Sequence, residues 1–162
     1  MATQTAAPAI PSPATPAPLP DPKKTFVEQD EIVLLAMCVF GESRGDTLQA
    51  KTGVACVVRN RLHQHWMGAK TWADVILKPY QFDCFLANDP NSKKLLTPLK
   101  YETAAVWDCC YSIAHDVHAG KTPDNTAGAV FYFSLPIKIP PAQWGNVQET
   151  VTYGKTKFFR LT

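Results

Sequence analysis

The stretch VFGESRG, residues 39–45, sets one carboxylate, Glu42, directly behind an apolar run and between two glycines. Glu42 comes seven residues after Leu35 and three after Val39, so on a helix its side chain leaves from the apolar side. There Val39 and Phe40 withhold water from the anion, and the negative end of the helix dipole opposes a carboxylate in the last turn. Both effects favour the protonated acid. Such an acid can hand its proton to a leaving oxygen, the general-acid part of glycoside cleavage. The competing expectation is structural: Glu42 pairs with Arg44, Arg59 or Arg61 and ties two helices together.

Other reactive side chains fall into weaker patterns. Cys84 or Cys110 could act with His115 as a thiol nucleophile and base, but a cysteine inside a regular helix is normally a buried apolar residue. The pairs His63/His65 and His115/His118 make no HExxH string, so no metal and no cofactor is expected. Asp46 lies near Glu42 in sequence and Asp124 lies further on, yet neither forms a two-carboxylate arrangement with it. The expectation is a single acid that serves in turn as acid and base.

The elements that position Glu42 are legible from periodicity. From Glu28, the residues Ile32, Leu35, Ala36 and Val39 repeat at helical spacing, and Gly45 offers a stop. Asp46 or Thr47 can cap a second helix with a buried face of Ala50, Val54, Val57, Val58 and Arg61, ending near His65 and tolerating Gly53 for close packing. A short helical turn is expected around Trp72, and KPYQFDCF, residues 78–85, reads as a loop or a short strand pair. A third helix is expected from about Tyr101 to Ala119, ended by Gly120 and Pro123. AVFYF, residues 129–133, and KTKFFRL, residues 155–161, have the aromatic content of strands, with the proline-rich SLPIKIPP between them. The predicted fold class is α+β, mainly helical, with small β elements late in a single domain.

Composition bounds the rest. A chain of 162 residues, 46% of them hydrophobic, fills one sizeable core. A net charge of +2 with no Lys/Arg run longer than two residues gives no nucleic-acid footprint. No apolar stretch approaches the roughly 20 residues that span a bilayer, so no transmembrane segment is expected and the domain should be soluble. Residues 1–22 hold seven of the fourteen prolines and no aromatic residue. They read as a disordered, polyproline-like arm, residues 1–25, ahead of a folded part at 26–162. Prolines interrupt any secretory core there, so no signal peptide is recognised. Five cysteines without a CxxC leave one odd, which argues against a disulfide scaffold. Trp66, Trp72 and Trp107 are expected in the core. Nothing sets an oligomeric state beyond a default monomer.

Several strings together resemble a known family. LLAMCVFGESRGDTLQAKTGVACVVRNRL, TWADVILKPYQFDCF, DNTAGAVFYF, the isolated Trp144 and TYGKTKFF follow in the order and approximate spacing of the SleB-like, spore-cortex-lytic cell wall hydrolases. Typical strings of that family look like GEARGE, VVxNRV, QFSCW, DPTGGAxYF and IGxHxF, and the likeness spans residues 31–160. It implies a lysozyme-like fold of the lytic transglycosylase kind, with peptidoglycan glycan strands as partner, cut between N-acetylmuramic acid and N-acetylglucosamine. It implies Glu42 as the catalytic residue, at the acid of GEARGE. Tyr80, Gln81 and Phe82 match the QF region, and Asp124, Thr126 and Tyr132 match DPTGGAxYF; these and Trp144 are the expected substrate-binding residues. Gln81 would bond an N-acetyl group, Tyr132 with an acid or hydroxyl would line the cleft, and Trp144 would be either a sugar platform or a plug. Ser43, Asp46, Asn125 and Ala127 depart from the family strings, and Thr156 stands where a His is usual. A module that binds peptidoglycan without cutting it is the alternative. The expected place of action is the cell wall, reached as an envelope enzyme or as a phage-encoded lysin.

Overall fold

The computed structural model describes residues 15–137 and 139–162. Helix α1, Glu31–Ser43, is the centre of the molecule. The Asp30 carboxylate caps it by accepting from the amides of Ile32 and Val33. Val33 through Phe40 are all buried, so α1 is enclosed on every side rather than along one stripe. Helix α2, Leu48–His63, begins at the Thr47 cap, and α5, Ala104–His118, begins three residues later than the periodicity expects. Both pack against α1. Short helices α3, Trp72–Ile76, and α4, Ser92–Leu95, close two further sides. The 78–85 segment forms no strand pair; it ends in a single 3-10 turn, Asp83–Phe85.

The late strands appear where the aromatic content placed them. β1, Phe131–Ser134, β2, Val147–Tyr153, and β3, Thr156–Leu161, make an antiparallel sheet in the order β1-β3-β2. Tyr132 lies opposite Phe158 in that register. Alternation along β1 sends Phe131 and Phe133 into an aromatic cluster with Phe159, while Tyr132 turns toward α1. Gly53 is what brings sheet and helix together: a Cβ there would collide with the Phe158 ring. The expectation of close packing at this glycine holds.

Of the expected disordered arm, residues 1–14 lie outside the described residues, while residues 15–25 are held to the domain at several points. Ala17 is buried, the Trp107 indole donates to the Pro18 carbonyl at 3.0 Å, and the buried Gln29 amide grips the backbone of Asp21 from both sides. Proline content argued for disorder because composition counts only what a segment could bury by itself. Here the apolar partner, Trp107, is supplied by α5. Among the described residues no helix is long and apolar enough to cross a membrane.

Candidate active site

Glu42 occupies the last turn of α1, and both of its carboxyl oxygens are engaged. Oε2 accepts from the Tyr132 hydroxyl at 2.6 Å, and Oε1 accepts from the Cys84 amide at 3.4 Å. Three elements therefore meet at one acid: α1, strand β1 and the Asp83–Phe85 turn. Gly41 makes the last contact possible, because a Cβ at that position would stand 2.6 Å from the Cys84 sulfur. The expected alternative, an ion pair across helices, does not form. Arg44 pairs with Glu102 at 3.4 Å, Arg59 donates to the Thr122 carbonyl and Arg61 to the Val130 carbonyl.

Two depressions meet at Glu42. The larger, about 600 Å³, has aromatic walls that include Trp66, Tyr80, Tyr132 and Trp144. The smaller, about 330 Å³, is polar, with Arg44, Asn91, Glu102 and Lys155 around it. Glu42 and Ser134 line both. An acid at such a junction has room for a polymer unit on either side, and ring faces on one of them suit the apolar faces of sugars.

The expected binding residues divide. Tyr80 is 80% exposed at the rim, held in left-handed backbone at φ 63°, a conformation rare for a residue with a bulky side chain. Gln81 lines the cleft and accepts from Arg61 at 3.4 Å. Trp144 lines it too, and its ring stacks on Phe131 with centroids 4.6 Å apart and an interplanar angle of 10°. Three expectations are corrected. Phe82 is 2% exposed and lies beneath Arg61 and Tyr132, in the core. Thr126 is wholly buried, and Asp124 accepts from Thr126, the Gly128 amide and Asn60. These two close the loop that leads into β1 and do not line the cleft. Burial raises the Asp124 carboxyl's proton affinity, but those hydrogen bonds outweigh it and hold its pKa below the ordinary value.

Thr156, at the position where the resembled family has a histidine, is buried and donates to Asp46 at 2.8 Å. Asp46 also accepts from the amides of Thr47 and Lys155, which fastens the β2–β3 turn to the start of α2. No histidine among the described residues lines either depression. Cys84 and Cys110 are buried, and desolvation pushes both thiols up, that of Cys110 to about 12, which opposes a thiolate nucleophile. Of the tryptophans expected in the core, Trp107 is buried there and Trp72 packs on it, whereas Trp66 faces the cleft.

Besides Glu42, the charged residues of the aromatic depression are Asp83 and Arg61, neither of them expected there. Asp83 lines the aromatic side, its only signal being its place beside the QF string. Arg61 is 5% exposed; its charge in the apolar stripe of α2 was the visible signal. Its guanidinium lies over the rings of Phe82, Trp66 and Phe131 at 5.0, 5.7 and 5.8 Å. Burial lowers its pKa, opposed by Tyr132, Cys38 and Glu42.

Comparison with known proteins adds to this geometry. The profile of the family described as Cell Wall Hydrolase matches residues 45–159, a span that begins just after Glu42. No curated protein sequence matches the chain. Among solved structures, the catalytic domain of the Bacillus cereus SleB protein superposes with a TM-score of 0.60 at 25% identity, covering 80% of this chain and 89% of that one. The catalytic domain of the germination-specific lytic transglycosylase SleB from Bacillus anthracis also gives 0.60, at 23% identity, over 80% of this chain and 93% of that one. The α+β, mainly helical architecture is the fold of these catalytic domains.

Proposed function

This chain belongs to the cell wall hydrolase family and degrades peptidoglycan, and we propose that it cuts the glycan strand between N-acetylmuramic acid and N-acetylglucosamine with Glu42 as general acid and then base. One observation carries the reading: Glu42 stands where the aromatic and polar depressions join, its carboxyl oriented by Tyr132 and the Cys84 amide.

In the first step the Glu42 proton passes to the glycosidic oxygen as the bond from that oxygen to the muramic anomeric carbon breaks. The carbon becomes oxocarbenium-like, and the Glu42 carboxylate left beside it stabilises the positive charge. In the second step that carboxylate takes a proton from the muramic 6-hydroxyl, whose oxygen closes on the anomeric carbon to give a 1,6-anhydro end. If water enters instead, the same carboxylate takes the water proton and an ordinary reducing end results. The Bacillus anthracis neighbour is a lytic transglycosylase, and this favours the anhydro product here. Trp144 and Tyr80 offer the sugar faces a stacking surface, and Gln81 is within the cleft to bond an N-acetyl group.

Mass spectrometry of peptidoglycan digested by the wild type and by Glu42→Gln tests this. Anhydro-muramic ends from the wild type and none from the variant are expected, with the fold kept by circular dichroism. Full activity in Glu42→Gln would overturn the assignment, and binding to cell walls without any product from the wild type would identify a non-catalytic module instead.

A further inference from the structure

Arg61 is the buried charge that the reaction above does not use. It is 5% exposed, and among the described residues it forms no ion pair. A guanidinium taken from water without a carboxylate is costly, so its place has to be fixed by other means. Its Nε donates to the Val130 carbonyl at 2.7 Å, at the entry to β1, and its Nη1 donates to the Gln81 Oε1 at 3.4 Å, on the segment that leads to Cys84. Three aromatic faces enclose what remains. The two segments that Arg61 ties to α2 are the two that hold Glu42: β1 carries Tyr132, and the 81–85 segment carries the Cys84 amide.

We propose that Arg61 is a positioning residue for the cleavage chemistry, bracing β1 and the Gln81–Cys84 segment so that Tyr132 and the Cys84 amide meet the Glu42 carboxyl. The proposal rests on the reading of Glu42 as the acid. A planar fork suits the task because it directs donors to two segments at once, where an ammonium on a flexible stem holds only one of them in a fixed direction.

The test compares wild type, Glu42→Gln, Arg61→Lys and Arg61→Met on a purified peptidoglycan oligosaccharide, with kcat and KM separated and folding followed by circular dichroism. Arg61→Lys is expected to stay folded and to lose at least tenfold in kcat with KM changed less than threefold, and Arg61→Met to lose more. In the Glu42→Gln background, adding Arg61→Lys is expected to leave the oligosaccharide Kd within threefold, because Arg61 arranges the acid and not the glycan. A folded Arg61→Lys with kcat within threefold of wild type overturns the proposal, as does a loss confined to KM or to the Kd. Should both Arg61 variants fail to fold, Tyr132→Phe and Gln81→Ala decide, since an unchanged kcat in both leaves Arg61 nothing to act through. An inactive wild type or an active Glu42→Gln overturns the reading beneath it instead, and the two failures are therefore distinguishable.

Discussion

Tyr132 and Glu42, ninety residues apart in the chain, share a hydrogen bond of 2.6 Å in which the phenol donates to the carboxyl. Burial, and the Glu42 charge beside it, push the Tyr132 hydroxyl well above its ordinary pKa, so it stays a donor throughout the working range. Its replacement by phenylalanine keeps the ring between Phe82 and Phe158 and removes only the donor. Tyr132→Phe is expected to lower turnover by about 10- to 100-fold while stability changes by about 1 kcal/mol. Turnover on cell walls with a parallel melting curve checks this, and an undiminished rate would make the contact incidental.

Gly41 precedes the acid for a reason of space. Alanine in a helix interior normally gains about 0.5–1 kcal/mol over glycine. Here its methyl would meet the Cys84 side chain. Gly41→Ala should therefore destabilise by about 1–3 kcal/mol, the cost of overpacking, and should also slow turnover by moving the amide that holds Oε1. A urea titration reads the sign directly; a stabilised variant would refute the crowding argument.

Asp83 is the other carboxyl on the aromatic side of the cleft. With one acid serving both steps, Asp83→Asn should retain activity within about fivefold and yield the same product ends, whereas a two-carboxylate mechanism requires a loss of about 10²-fold or more. Product analysis on this one variant separates the mechanisms.

Asp124 gives the fold a pH dependence. Its folded pKa lies below the ordinary value, so it contributes stability that is complete above about pH 5 and is lost as pH falls through the unfolded value, near 4, toward the lower folded one. Unfolding midpoints in urea from pH 7 to pH 3 should fall less steeply in Asp124→Asn than in the wild type. Parallel curves would remove Asp124 from the acid sensitivity.

How much of this the sequence disclosed varied with the range of the interaction. Helix α1, the Thr47 cap and the crowding at Gly53 were legible because each is set by neighbours within a few turns or by a missing side chain. Tyr132 was legible as a candidate, since alternation on a strand turns it away from Phe131 and Phe133. Its bond to Glu42 was not, because no local pattern encodes a pairing across ninety residues. Asp124 and Thr126 misled for the opposite reason. They stand in a family string, yet their part of it closes the loop that leads into β1, and only its later part, from Phe131 on, lines the cleft. Arg61 was written into the buried face of α2, where its charge was the clue, but only the three rings around it show why that position accepts a cation. The segment at Ala17 and Pro18 escaped because its anchor, Trp107, lies far along the chain.

The enclosure of α1 has a consequence for how the cleft adapts. A helix buried from Val33 to Phe40 is expected to exchange its amide hydrogens only through openings close to global unfolding, which sets Glu42 at the end of the most enclosed helix. The exposed residues Met67, Tyr80 and Ile137 line the same cleft. Accommodation of strands of different girth is expected at those side chains rather than at Glu42.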